Sequence, residues 1–211
     1  MTAIYPRRCL QNDRGYRCLA SRVPVLLEER KLLEMSETKG QIFKKTTYWL
    51  CITAVFMALN VAMSSFGVPV PGGHFYLNDI VICTAAILLD PFAAFAVGGV
   101  GAFLGDLFFY PTPMFVSLAT HGLQAVVISV FSHHILKKHP VLASGIGVTI
   151  GAVIMVVGYS LGRAFLYSTP EYAIVKLPYQ ILQAAIGAVF GMVLCWKCRL
   201  TELVGKHSFY L

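Results

Sequence analysis

Between residues 46 and 196 the chain is almost continuously apolar, and its interruptions fall at nearly regular distances. A helix that crosses a bilayer needs roughly 17–25 apolar residues, and proline, glycine and charge divide this region into six such stretches. The first, 46–66, ends at Gly67, Pro69, Pro71, Gly72 and Gly73. The second, 75–89, stops at Asp90-Pro91, because proline and the restriction on its predecessor oppose a continuing helix. The third, 92–110, is closed by Pro111 and Pro113, and the fourth, 114–136, by Lys137, Lys138, His139 and Pro140. The fifth and sixth are 141–167 and 176–196. The second is short for a full span, which predicts a helix thinly covered by lipid or packed inside the bundle.

Within this region the only Asp, Glu, Lys and Arg residues are Asp79, Asp90, Asp106, Lys137, Lys138, Arg163, Glu171 and Lys176. A water-soluble domain needs a charged exterior, and so few charges cannot make one. In lipid the requirement inverts, because backbone polar groups must be satisfied within helices. The predicted fold is therefore all-α and integral to the membrane, a bundle of six transmembrane helices.

Charge sets a direction. Lys39, Lys44, Lys45, Lys137, Lys138, Lys197, Arg199 and Lys206 flank one side of the six spans. The opposite loops, 67–74 and 111–113, hold no Lys or Arg, and only Arg163 and Lys176 lie near that side. Cytoplasmic flanks retain positive charge, so both termini are expected in the cytoplasm. Residues 1–45 then form a cytoplasmic segment, 46–196 the membrane domain and 197–211 a cytoplasmic tail. The net charge of +7 follows from this bias and from attraction to anionic lipid, with no need for nucleic acid. Residues 1–34 are arginine-rich but lack an apolar run of signal-peptide length. They read either as an extension upstream of a natural start at Met35, preceded by the purine-rich codons of Glu28-Glu29-Arg30-Lys31, or as a basic tail.

The six cysteines make no framework. Cys195 and Cys198 form one C-x-x-C, but a lone pair lacks the four ligands of a structural zinc site, and no metal site or catalytic residue is expected.

The outward halves of the predicted helices hold most of the polar side chains. The first outer loop and second helix bring His74, Tyr76, Asn78 and Asp79, and the third helix Asp106 and Tyr110. Ser117, His121 and Gln124 share a face of the fourth helix by their spacing of four and three. The fifth ends with Tyr159, Arg163 and Tyr167, and the sixth opens with Lys176, Tyr179, Gln180 and Gln183. Polar groups at membrane depth face a cavity or a partner, and several converging faces predict an outward pocket. The binding set is His74, Asn78, Asp106, His121, Gln124, Arg163, Tyr179, Gln180 and Gln183. Blander roles stand beside it: Asn78 and Asp79 as helix caps, Asp106 paired with Arg163, and Lys176 and Tyr179 as interface anchors. Small residues recur at spacings of four, as at Gly101 and Gly105 or Gly187 and Gly191, which suits close helix packing in lipid. The stripe Ala54, Ala58 and Ala62 suits either such packing or the docking of another subunit.

The runs Leu77-Asn78-Asp79-Ile80 and Leu89-Asp90-Pro91, and the glycine-rich third helix from Gly98 to Asp106-Leu107, resemble the substrate-binding S components of energy-coupling factor (ECF) transporters. The stretch from Pro113 through Ala125 and Ala54-x3-Ala58 add to the resemblance, which covers about 46–196. It implies a bacterial membrane subunit that captures a vitamin and docks through Ala54, Ala58 and Ala62 on a transmembrane coupling subunit driven by two ATP-binding cassette ATPases. ATP and Mg would be bound by those partners, since the chain has no G-x4-G-K-[ST] loop. The loop 67–77 would close over the ligand. Members assigned to hydroxymethylpyrimidine or pyridoxine look most similar. Two departures are Asp90 before Pro91, where members often have glycine, and His121 near where they often carry lysine. Two rival readings are a proton-coupled carrier using Asp106 or His121, and an intramembrane serine protease on the G-x-S-x-G at Gly158–Gly162. The latter lacks a histidine on the sixth span to act as base.

Overall fold

The computed structural model describes residues 23–71, 73–135 and 138–205. Helix α1 is Val23–Ser64, of which Lys45–Ser64 is the apolar part. A short antiparallel hairpin follows, β1 (Val68–Val70) and β2 (Gly73–Phe75), with Val68 opposite Phe75 and Pro69 opposite His74. Then come α2 (Asn78–Leu88), α3 (Pro91–Phe109), α4 (Met114–Ile135), α5 (Pro140–Tyr167), α6 (Pro170–Lys197) and the short α7 (Leu200–Gly205). Among the described residues five helices are long and apolar enough to span, while α2 is a shorter apolar helix. The expected six stretches are all helical, but they comprise five spans and one interior helix. Two boundaries are corrected: Phe75 belongs to β2, so α2 begins at Asn78, and α6 begins at Pro170 rather than 176. The expected loop 67–74 is largely a hairpin. Residues 1–22 lie outside the described residues, and Met35 falls inside α1.

Punctuation works as local chemistry requires. Pro91, Pro140 and Pro170 open their helices, where a missing N–H costs nothing. Asp90 caps α3, accepting from the N–H groups of Phe92 at 3.1 Å and Ala93 at 3.3 Å. Its other oxygen accepts from the Trp49 indole of α1. The departure from glycine at this position thus supplies both a cap and an anchor for α1.

α2 is buried along almost its whole length and packs on α6, α4 and α3. Ile82, Cys83, Ala85 and Ala86 meet Val97, Ala125, Ile128 and Val148 in the core. With no hydrophobic drive between helices in lipid, tight backbone approach must hold them. A Cβ at Gly98 would lie 2.7 Å from that of Ala125, and one at Gly105 would overlap Ser64 of α1. Asn60 of α1 donates to the Val97 carbonyl at 2.7 Å. The face of α1 that bears Thr53, Asn60 and Ser64 is buried, whereas Ala54, Ala58 and Ala62 are exposed. Cys195 is buried against the Thr84 carbonyl and Cys198 is exposed, so the C-x-x-C pair does not share one site.

Candidate ligand-binding cavity

The site is organised by Asp79, which is 1% exposed in the first turn of α2. Gly187 lets α6 approach it, since a Cβ there would sit 2.5 Å from the Cβ of Asp79. One turn earlier on α6, Gln183 donates to Asp79 Oδ2 at 2.7 Å. Its own oxygen accepts from the Tyr76 backbone N–H at 3.2 Å, which ties the end of the hairpin to α6. From α4, Gln124 donates to Asp79 Oδ1 at 3.2 Å, and its oxygen meets His121 Nδ1 at 2.7 Å. His121 Nδ1 itself lies 3.8 Å from the carboxylate. A buried charge survives only when paired or hydrogen-bonded, and here three side chains share that work. Neither Asn78 nor Asp79 caps α2: its N-cap is Leu77, with no side-chain bond.

Above this network lies a small, partly enclosed cavity of about 40 Å³. α3 contributes Asp106, which accepts from Ser117 of α4; Tyr159 of α5 in turn contacts the Ser117 hydroxyl. The hydrogen bond seen at Asp106 is therefore with Ser117, not the expected pairing with Arg163. His74 on β2 stands edge-on to Tyr110 with ring centres 5.2 Å apart, and its carbonyl receives the Lys176 ammonium. Arg163 lies 5.5 Å over the Tyr167 ring. Its guanidinium also underlies Gly73, where a Cβ would come within 3.1 Å and where φ is +145°. The positive φ is what favours glycine there. Burial, then the neighbouring Asp106 and Tyr110, push the Tyr76 phenol up to about 12, so it stays a neutral hydrogen-bonding group.

Seven of the nine residues in the predicted binding set line the cavity: His74, Asn78, Asp106, His121, Arg163, Gln180 and Gln183. Gln124 sits behind His121 and acts through it. Tyr179 is half-buried and does not line the cavity. At 3.6 residues per turn, Lys176, Gln180 and Gln183 span an arc of roughly 60°, and Tyr179 falls about 40° beyond it. Tyr76, Tyr110, Tyr159 and Lys176, which the sequence places among the converging polar residues but outside the binding set, also form the wall. Met155 and Pro113 complete it, and neither carries a polar signal that could have revealed it. Three buried polar atoms on the wall have no hydrogen-bond partner among the described residues: Asn78 Oδ1, Gln180 Oε1 and His74 Nδ1.

Ser160, the serine of G-x-S-x-G, lies inside α5, and its hydroxyl is buried with no partner among the described residues. It has neither the strand-to-helix elbow nor the base that a nucleophile needs.

A family model for the ECF-type riboflavin transporter, S component, matches residues 44–199. A protein of Pyrococcus woesei described as "Uncharacterized protein in gap 3'region" is 30% identical over 136 residues, covering 64% of this chain and 89% of its own length. With a multi-pass apolar helix bundle, a buried polar cavity and a family match over most of its length, this chain belongs to the S components of ECF-type transporters, membrane subunits that bind substrate for uptake and are not enzymes.

Proposed function

We propose that this subunit captures a small, flat heterocycle from outside the cell, hydroxymethylpyrimidine or pyridoxine being favoured, and delivers it through a partner module. The observation that carries the reading is the convergence of buried polar side chains from the hairpin and five helices on one narrow cavity. Its walls offer aromatic rings for stacking and amide, imidazole and cationic groups for hydrogen bonds.

Lys138, Lys197 and Arg199 lie at the end of the bundle opposite the hairpin. This supports a cavity facing outside and both termini in the cytoplasm. The exposed Ala54, Ala58 and Ala62 face of α1 would receive the coupling subunit, and two ATPases bound to it would hydrolyse ATP. The hairpin, held by Gln183 and Lys176, would cover the ligand. Mass spectrometry of ligand retained by detergent-purified protein tests the proposal: a pyrimidine or pyridine supports it, and a ligand without a heteroaromatic ring refutes it.

A further inference from the structure

Four of the five glycines of α5 serve helix packing: a Cβ at Gly147, Gly151, Gly158 or Gly162 would come within 2.8 Å of a side chain on α4. Gly145 differs. The nearest atom to a Cβ there would be the Met192 methyl carbon, at an ordinary 3.8 Å, so close approach of helices does not explain it. It forms the floor of a shallow groove of about 760 Å³ that runs along the Pro140 end of α5. Val141, Leu142, Ile146 and Ile150 are exposed along that groove. Thr149, which also lines it, donates to the Gly145 carbonyl at 2.8 Å, so its hydroxyl is satisfied within the helix. The end of the groove is cationic. Lys138 and His139 form its rim, and Lys137 precedes them in the sequence. No acidic residue lines the groove or stands in the first turn of α5, and the ion pairs among the described residues do not involve Lys138. Asp90 is taken up by the start of α3 and by Trp49, and Glu202 by Arg199 at 3.6 Å.

We propose that this groove holds one anionic phospholipid, with its phosphate at Lys138 and His139 and one acyl chain laid along α5 over Gly145. The dimensions agree. From Pro140 to Ile150 the helix rises about 16 Å at 1.5 Å per residue, and one leaflet is about half of a 30 Å hydrocarbon core. An acyl chain therefore follows the groove to about the bilayer midplane while its headgroup stays at the basic rim. Lysine at a helix end covers apolar surface with its stem and holds its ammonium at the interface. An anionic headgroup gains about fivefold in affinity for each lysine near the surface, whereas a zwitterionic one fits the groove without that gain. On the orientation proposed above, the lipid comes from the cytoplasmic leaflet. The groove shares no lining residue with the ligand cavity and does not include the Ala54, Ala58 and Ala62 stripe, so the lipid and the transported ligand occupy separate sites.

The test is native mass spectrometry of the full-length, delipidated protein in detergent, given palmitoyl-oleoyl phosphatidylglycerol and phosphatidylcholine in equal amounts. Phosphatidylglycerol should be retained about fivefold over phosphatidylcholine. Lys138→Gln should bring that ratio toward one. Lys45→Gln, at an exposed lysine of α1 that does not line the groove, should leave it unchanged. Gly145→Leu, which fills the floor, should lower retention of both lipids at wild-type thermal stability. Because Lys138 is exposed, its variant decides the matter even where Gly145→Leu fails to fold. Equal retention of the two lipids by the wild-type protein overturns the proposal. So does an equal loss of selectivity in Lys138→Gln and Lys45→Gln, which marks diffuse attraction to basic flanks, or unchanged retention in a folded Gly145→Leu. A wild-type dimer that Gly145→Leu dissociates would assign the groove to a second copy of this chain, and loss of the coupling subunit from Lys138→Gln would assign it to that partner; either result overturns the lipid.

Discussion

Gln183 is the residue through which the binding network and the hairpin are joined, so its removal should be felt at both. Gln183→Ala deletes a 2.7 Å hydrogen bond to a buried carboxylate and the acceptor for the Tyr76 N–H. A bond to a charged group contributes about 1.5–3 kcal/mol and a neutral one about 0.5–1.5 kcal/mol. Loss of both should lower stability by about 2–4 kcal/mol. Where ligand binding needs the ordered hairpin, affinity should fall by about 1–3 kcal/mol, roughly 5–150-fold in Kd. Gln183→Glu is the sharper variant. It retains shape but sets a second carboxylate against Asp79, and two carboxylates sharing a site cannot both ionise cheaply. It should therefore be less stable than Gln183→Ala at neutral pH. Thermal unfolding in detergent and calorimetric titration with the retained ligand give both numbers. Wild-type stability and affinity in both variants would refute the Asp79-centred description of the site.

Ala54→Trp and Ala58→Trp should abolish uptake and co-purification with the coupling subunit while sparing ligand binding, because these side chains are exposed and do not line the cavity; normal uptake by both variants would make the stripe ordinary lipid-facing surface. Gly187→Ala should destabilise the purified protein by about 1–3 kcal/mol in thermal unfolding, since its new methyl group overlaps Asp79 in a packed seam. Ser160→Ala should leave binding and transport at wild-type levels in the same assays, and loss of a hydrolytic activity in that variant would revive the protease reading.

The helix limits were legible because proline and glycine act locally: Pro91 opens α3 and the Pro111 to Pro113 turn ends it, much as their backbone chemistry demands. The hairpin was not legible, since strands of three residues carry no alternation to read. Periodicity placed Ser117, His121 and Gln124 on one face, and Gln180 and Gln183 on another, but it could not show which faces meet. Asp79 was misleading for that reason. At a helix start an aspartate looks like a cap, and only the approach permitted by Gly187 reveals that its partners are Gln183 and Gln124, from sequence-distant helices. Asp106 and Arg163 illustrate the same limit. Opposite charges at similar depth suggest a pair, yet a serine one helix away reaches the Asp106 carboxylate. The alanine stripe was ambiguous between packing and docking, and exposure of all three residues removes internal packing as its explanation.

The central claim is a division of labour in which this chain binds the substrate and a separate ATPase-driven module moves it. Uptake into proteoliposomes containing the chain alone, and the chain with its coupling subunit and ATPases, tests that claim most directly when the retained ligand is radiolabelled. The account predicts ligand binding in both preparations and accumulation only in the second, dependent on ATP. Accumulation by the chain alone under a proton gradient would contradict it and assign Asp106 or His121 to a proton-coupled carrier.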